Sequence, residues 1–169
     1  PITSSWSIEE ANYKETFNKK VLPWVRGFKV KMFKGLKGKK LAYLCFPKKG
    51  ASQAIVVSNG RTEYIPKYFE LAYDIYHSNL KASVCLYDHR GQGLSERILK
   101  DPRKGHVEDF NYYISDFAKM IKLVKSMGHK EVYVWGQSMG GGKACLLYTS
   151  DAADDSLRVD LGGRRIIKK

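Results

Sequence analysis

No aspartate or glutamate occurs between Thr16 and Thr62, a stretch that carries Lys19, Lys20, Arg26, Lys29, Lys31, Lys34, Lys37, Lys39, Lys40, Lys48, Lys49 and Arg61. The formal net charge is +13, and this one region holds nearly all of the excess. A block of this kind faces nucleic acid, an anionic membrane surface or solvent. No helix-turn-helix, zinc or RNA-recognition pattern accompanies it, so nucleic acid is not the expected partner. Lys29, Lys31 and Lys34 interleave with Phe28, Val30, Met32 and Phe33, the pattern of a strand with one wet face. The expectation is a solvated surface whose Lys19–Lys49 region makes peripheral contact with anionic lipid.

Long apolar runs are also missing: nothing approaches the roughly 20 residues of a membrane-spanning helix. The first residue is Pro1 and not Met, so the sequence does not speak about a signal segment. Cysteine is scarce. Cys45, Cys85 and Cys145 are odd in number and lack metal-ligand spacing, which predicts buried thiols in a reducing compartment, hence a cytoplasmic protein, peripheral to the inner membrane where the basic block docks. No metal or organic cofactor is expected.

What is present is a regular alternation of elements. At 169 residues the chain fits one domain. After an amphipathic stretch from Ile8 to Val25, Gly27–Lys34 and Lys40–Phe46 predict a hairpin across GLKGKK. Ala54–Ser58, Ser83–Tyr87 and Glu131–Trp135 are short continuous apolar runs, as in strands covered on both faces. Between them, Tyr68, Leu71, Ala72 and Ile75 predict a helix over Pro66–His77. Phe110, Ile114, Phe117, Ile121 and Val124 predict another over Val107–Met127. Strands alternating with helices imply an α/β fold with a mostly parallel sheet and ligands at the carboxyl ends of its strands.

One of those ends reads Gly136-Gln137-Ser138-Met139-Gly140. G-x-S-x-G between a strand and a helix predicts a sharp turn that exposes Ser138 as a nucleophile, with Gly136 and Gly140 allowing close backbone approach. A serine that attacks a carbonyl needs amide donors for the oxyanion. The amide of Met139 is one candidate and that of Arg61, in Asn59-Gly60-Arg61 after the first parallel strand, is the other. His89 and His106 precede Ser138 and are not the expected base. His77 and His129 fall near helix ends.

VVSNGRTEYIPKYFELA, YDHRGQGLSE, GHVEDF and GQSMGG, in this order, resemble the α/β-hydrolase fold and, within it, the bacterial lysophospholipase and monoacylglycerol-lipase branch, over about Ala54 to Gly142. The resemblance implies the N-terminal half of an α/β-hydrolase sheet and a serine ester hydrolase that cleaves lysophospholipids or monoacylglycerols through an acyl-enzyme. The alternatives are a general carboxylesterase or a haloperoxidase-like or peptidase relative on the same fold, and a non-catalytic basic module that binds membrane surfaces. Where the branch usually has His-Gly-x-Gly, this chain has Asn59-Gly60-Arg61-Thr62; Asp88, Arg90, Gly91, Gly93 and Ser95 correspond to an architectural turn.

In that fold the acid and histidine follow the serine, and no histidine occurs after His129. Cys145–Asp154 and Val159–Ile167 read like a translated sequencing-library adapter. The expected division is therefore residues 1–144 as a partial hydrolase domain and 145–169 as a non-native tail that packs poorly and takes no place in the sheet. The 169-residue chain by itself is expected to be inactive.

Overall fold

The computed structural model describes residues 12–149 and the backbone of 157–160. Six strands form one sheet: β1 (Lys31–Lys34), β2 (Lys40–Phe46), β3 (Gln53–Ser58), β4 (Ala82–Tyr87), β5 (Glu131–Gly136) and β6 (Leu157–Asp160), in the spatial order β1-β2-β4-β3-β5-β6. β1 and β2 form the predicted antiparallel hairpin, although β1 starts at Lys31 and not Gly27 and leaves Met32 exposed beside its lysines, and β2 pairs antiparallel with β4, whereas β4, β3, β5 and β6 run parallel.

Helices cover both faces. The chain enters through α1 (Tyr13–Thr16), a wide π turn (Phe17–Val21) and α2 (Leu22–Val25). Pro23 has no N–H to give the carbonyl four residues back, which accounts for the widened turn just before it. The Ile8–Asn12 part of the predicted amphipathic stretch lies almost wholly outside the described residues. Val21 and Val25 pack with α3 (Phe69–His77) against Ala42, Leu44, Phe46, Val57, Val84 and Leu86. On the other face α4 (Phe110–Ser126) and α5 (Met139–Thr149) cover Tyr43, Val56, Cys85, Tyr87, Val132 and Val134. Along β2 and β4, successive side chains go to opposite cores, as the period of a strand requires.

β3 lies between β4 and β5, so the first crossover, through α3, runs one way and the second, through α4, runs back over β3. Right-handed crossovers then put α3 and α4 on opposite faces and open a crevice at the carboxyl ends of β3 and β5.

Three expectations need correction. First, α4 starts at Phe110, with the Asp109 side chain capping the Asn111 amide at 2.8 Å, and not at Val107. Its buried stripe is Tyr113, Asp116, Phe117, Met120, Ile121 and Val124, while Phe110 is exposed. Asp116 is tolerated there because Arg90 reaches both of its oxygens, at 2.6 and 2.8 Å, and the Leu36 amide adds a third bond at 2.6 Å.

Second, Cys45 and Cys85 are not free thiols. They stand directly opposite each other in the β2–β4 register and form a disulfide, leaving Cys145 free and exposed. The argument from buried thiols to a reducing compartment therefore falls.

Third, residues after Cys145 do take a place in the sheet. α5 continues to Thr149 with Leu147 buried against the core, and Leu157–Asp160 pairs parallel with Val132–Trp135. The edge of β5 offers unpaired backbone groups, and even a short extended segment satisfies them. Asp151, Asp154 and Asp155 lie outside the described residues.

Candidate active site

The turn from β5 to α5 is as tight as the motif predicts. Ser138 has φ 50°, a left-handed conformation that a non-glycine residue adopts only under constraint, and it is exposed. The constraint is the close packing of backbones on either side. A Cβ on Gly136 would stand 2.7 Å from Gly141 Cα, and one on Gly140 would stand 1.8 Å from the Ser58 carbonyl oxygen. The Gln137 amide donates to that same Ser58 carbonyl at 3.0 Å, and the Gly141 and Gly142 amides donate to the Ser138 carbonyl to begin α5.

Opposite the serine runs the loop that leaves β3. A Cβ on Gly60 would lie 3.5 Å from Ser138 Cβ, so the two predicted halves of the site meet. Three consecutive amides in this loop have different fates. That of Gly60 donates to Glu63 Oε2 at 2.6 Å and that of Thr62 to Gln92 Oε1 at 2.6 Å. Among the described residues, the Arg61 amide between them has no acceptor, and neither does the Met139 amide at the start of α5. These are the two amides expected from the sequence.

Glu63, which sequence reading passed over, braces the loop. Besides the Gly60 amide it accepts bonds from Lys67 Nζ and the Tyr68 hydroxyl, and its own carbonyl accepts from Asn59 Nδ2 at 3.0 Å. Burial works to raise its pKa, but the bonds from Lys67, Tyr68 and Gly60 outweigh it and hold the carboxyl below its ordinary value.

The turn after β4 closes the crevice from the third side. Asp88 is fully buried, with the Ile65 amide on one oxygen at 2.7 Å and the Leu94 amide on the other at 2.8 Å. Burial still pushes its carboxyl upward. Ser95 Oγ donates to the Asp88 carbonyl and accepts from the Ala42 amide. Asp88, Arg90 and Ser95 thus bind the loops and β2 together, as architectural residues do.

His106 is exposed at the end of a loop, and a Cβ on Gly91 would meet its carbonyl oxygen at 2.7 Å. A cavity of about 330 Å³ opens beside the two unspent amides, lined by Arg61, Gln92, His106, Phe110, Tyr113 and Met139. Among the described residues no imidazole hydrogen-bonds to Ser138 Oγ.

His89 is buried, and next to it lies an unexpected group, the fully buried amine of Lys143 on α5. Lys143 Nζ is 2.9 Å from His89 Nδ1, 2.7 Å from Nε2 and 3.2 Å from the Tyr87 hydroxyl. His89 Nε2 is also 2.8 Å from the Asn59 carbonyl oxygen. Burial drives the Lys143 pKa well down, with Asp116 opposing; burial and then Lys143 drive that of His89 down too. Sequence reading missed it because α5 carries no clear apolar stripe; only in the fold does Lys143 share a buried face with Gly140, Ala144 and Leu147.

A family model described as "Serine aminopeptidase, S33" (Hydrolase_4) matches residues 49–158. A protein of Haemophilus influenzae named "Probable lysophospholipase L2" is 36% identical over 136 residues, 79% of this chain and 42% of that one. "Lysophospholipase L2" of Escherichia coli K12 is 38% identical over 110 residues, 64% of this chain and 32% of that one. The chain thus spans less than half the length of these relatives. Among solved structures, a soluble variant of monoglyceride lipase from Saccharomyces cerevisiae superposes with a TM-score of 0.58 at 24% identity, covering 72% of this chain and 38% of the other. An esterase from Exiguobacterium antarcticum does so with a TM-score of 0.61 at 18% identity, over 76% and 42%. At these identities the structural likeness concerns the fold, which is that of α/β hydrolases.

Proposed function

Given that the chain belongs to the serine aminopeptidase S33 (Hydrolase_4) family of α/β hydrolases, we propose that the protein containing it is a serine ester hydrolase acting on lysophospholipids or monoacylglycerols. The observation that carries this reading is the pairing of an exposed Ser138 at φ 50° with two unspent amides, those of Arg61 and Met139. Ser138 Oγ attacks the acyl carbonyl while a histidine base from the remainder of the protein takes its proton. The two amides hold the oxyanion of the tetrahedral intermediate, the alcohol leaves, and water releases the fatty acid from the acyl-enzyme. The names of the Haemophilus and Escherichia relatives support a lysophospholipid substrate, and the name of the yeast lipase a monoglyceride.

The 169-residue chain taken alone contains no histidine beyond Ser138, and we expect it not to turn over esters. The test uses full-length protein. Lysophosphatidylcholine, monoacylglycerol and a fluorophosphonate probe should all be consumed or bound, and Ser138→Ala should abolish each signal. Retained turnover in that variant, or activity confined to peptide anilides, would refute the reading.

A docking role for the basic block goes with it. Val30 and Met32 are exposed apolar side chains flanked by exposed Lys29, Lys31 and Lys34, on the edge strand β1 and the two residues before it. That combination suits an anionic lipid surface at about 1 kcal/mol per lysine at best. Equal binding to neutral and anionic vesicles, unaffected by salt, would remove this role.

A further inference from the structure

The peptide joining Asn59 to Gly60 is gripped at both ends. Its N–H is bound by Glu63, and its carbonyl oxygen is 2.8 Å from His89 Nε2. A carbonyl only accepts, so Nε2 carries the proton and the ring is the Nε2–H tautomer. Lys143 Nζ lies 2.9 Å from Nδ1 and 2.7 Å from Nε2, and of the two nitrogens only Nδ1, which carries no proton in this tautomer, can accept from it. The next amide along the chain is that of Arg61. A rotation of the 59–60 peptide would carry that amide away from Ser138, since the two peptide planes share the Cα of Gly60, the most freely turning residue type.

Lys143 is otherwise hard to account for. It is fully buried with no carboxylate bonded to it, and its head group is enclosed by the Tyr87, Tyr113 and Phe117 rings at 5.5, 5.6 and 5.7 Å. The other titratable or charged groups around the pair are Tyr87 on β4, Arg90 beyond it, and Tyr113 and Asp116 on α4. None of these bonds to an imidazole nitrogen, so the tautomer is set by the Asn59 carbonyl at Nε2 and by Lys143 at Nδ1.

We propose that Lys143 and His89 are positioning residues of the ester-hydrolysis site: the Asn59 carbonyl and the lysine together fix the tautomer of the imidazole, and the imidazole holds the Asn59–Gly60 peptide so that the Arg61 amide faces Ser138. The catalytic part of this inference rests on the hydrolase reading above.

The test uses full-length protein labelled with 15N at histidine. In the wild type, His89 should show the neutral Nε2–H pattern from pH 5 to 8. In Lys143→Met, which keeps the volume and removes the donor, the Nδ1 signal should shift as it loses its hydrogen bond and some Nδ1–H tautomer should become detectable. In the same variant kcat for a soluble p-nitrophenyl ester should fall about 10- to 100-fold, less than for outright loss of an oxyanion donor, while KM stays within about twofold. His89→Gln, whose side-chain amide can still donate, should recover more of kcat than His89→Ala. A wild-type His89 found as Nδ1–H or as imidazolium at pH 7 overturns the arrangement without any variant. Ring signals or kcat unmoved in a folded Lys143→Met overturn the relay. Wild-type protein without ester turnover overturns the hydrolase reading, and with it the positioning role, even where the ring signals behave as described.

Discussion

A methyl group on Gly140 would sit 1.8 Å from the carbonyl oxygen of Ser58. Both partners are main chain, one opening α5 and the other ending β3, so no side chain can swing away to relieve the contact. Gly140→Ala should therefore force the elbow off the sheet. Overpacking ordinarily costs about 1–3 kcal/mol, and this case belongs at the upper end. Urea denaturation should show a loss of about that size, and in full-length protein ester turnover should fall with it. A variant as stable as the wild type would mean that the elbow stands further from β3 than described.

Ser138 holds φ 50° against its own preference, at a cost of order 1–3 kcal/mol. Glycine adopts that conformation freely, although it also gains freedom in the unfolded chain. Ser138→Gly should consequently be more stable by about 1 kcal/mol, a rise in Tm of roughly 2–4 °C for a protein of this size, and should have no turnover. Calorimetry on the two proteins decides it. A fall in Tm would show that the serine hydroxyl contributes more to the fold than its backbone strain removes.

Burial depresses the pKa of Lys143 well below its value in an unfolded chain. Between those two values the unfolded state binds a proton that the folded state does not, so stability rises with pH across that window and is lost as pH falls through it. The unfolding free energy of the wild type from urea titration should climb as pH rises toward the ordinary lysine value, by up to about 1.4 kcal/mol per pH unit. Lys143→Met should lack the climb and match or exceed the wild type at pH 7, since apolar replacements of buried charges are often neutral or stabilising by about 1–4 kcal/mol. Identical pH profiles for the two proteins would place the lysine head group in solvent.

The disulfide between Cys45 and Cys85 closes a loop of sequence separation 40. Loop-closure entropy puts its contribution at no more than about 4 kcal/mol, and values of about 2–4 kcal/mol are typical. In the unreduced, denatured chain a thiol reagent should label Cys145 alone, and reduction should expose Cys45 and Cys85 and lower the urea midpoint. Labelling of all three before reduction would contradict the pairing.

The parallel strands could be read from sequence because Ala54–Ser58, Ser83–Tyr87 and Glu131–Trp135 each hold four consecutive apolar residues, and the elbow because its motif comes directly after one of them. Other features depend on partners far along the chain. Cys45 meets Cys85 only through the β2–β4 register, which no local pattern encodes. Val107 looked like the first turn of a helix because it is apolar, yet the capping carboxylate of Asp109 decides where α4 starts. Leu157–Asp160 alternates charge with apolarity and is too short to stand out; the open edge of β5 makes it a strand. Lys143 reads as a surface residue until α5 is packed over His89.

The central position of β3 sets a problem of timing during synthesis. Gln53 on β3 meets Ala82 on one side, but its neighbour on the other side, Glu131, is 78 residues further along. At roughly 5–20 residues per second a ribosome needs about 4–16 s to deliver that stretch. For those seconds one side of a continuous apolar strand stays open to any other extended chain. The strand that leads into the Gly60–Arg61 loop is thus open to mispairing in the nascent protein until β5, which leads into Ser138, has left the exit tunnel.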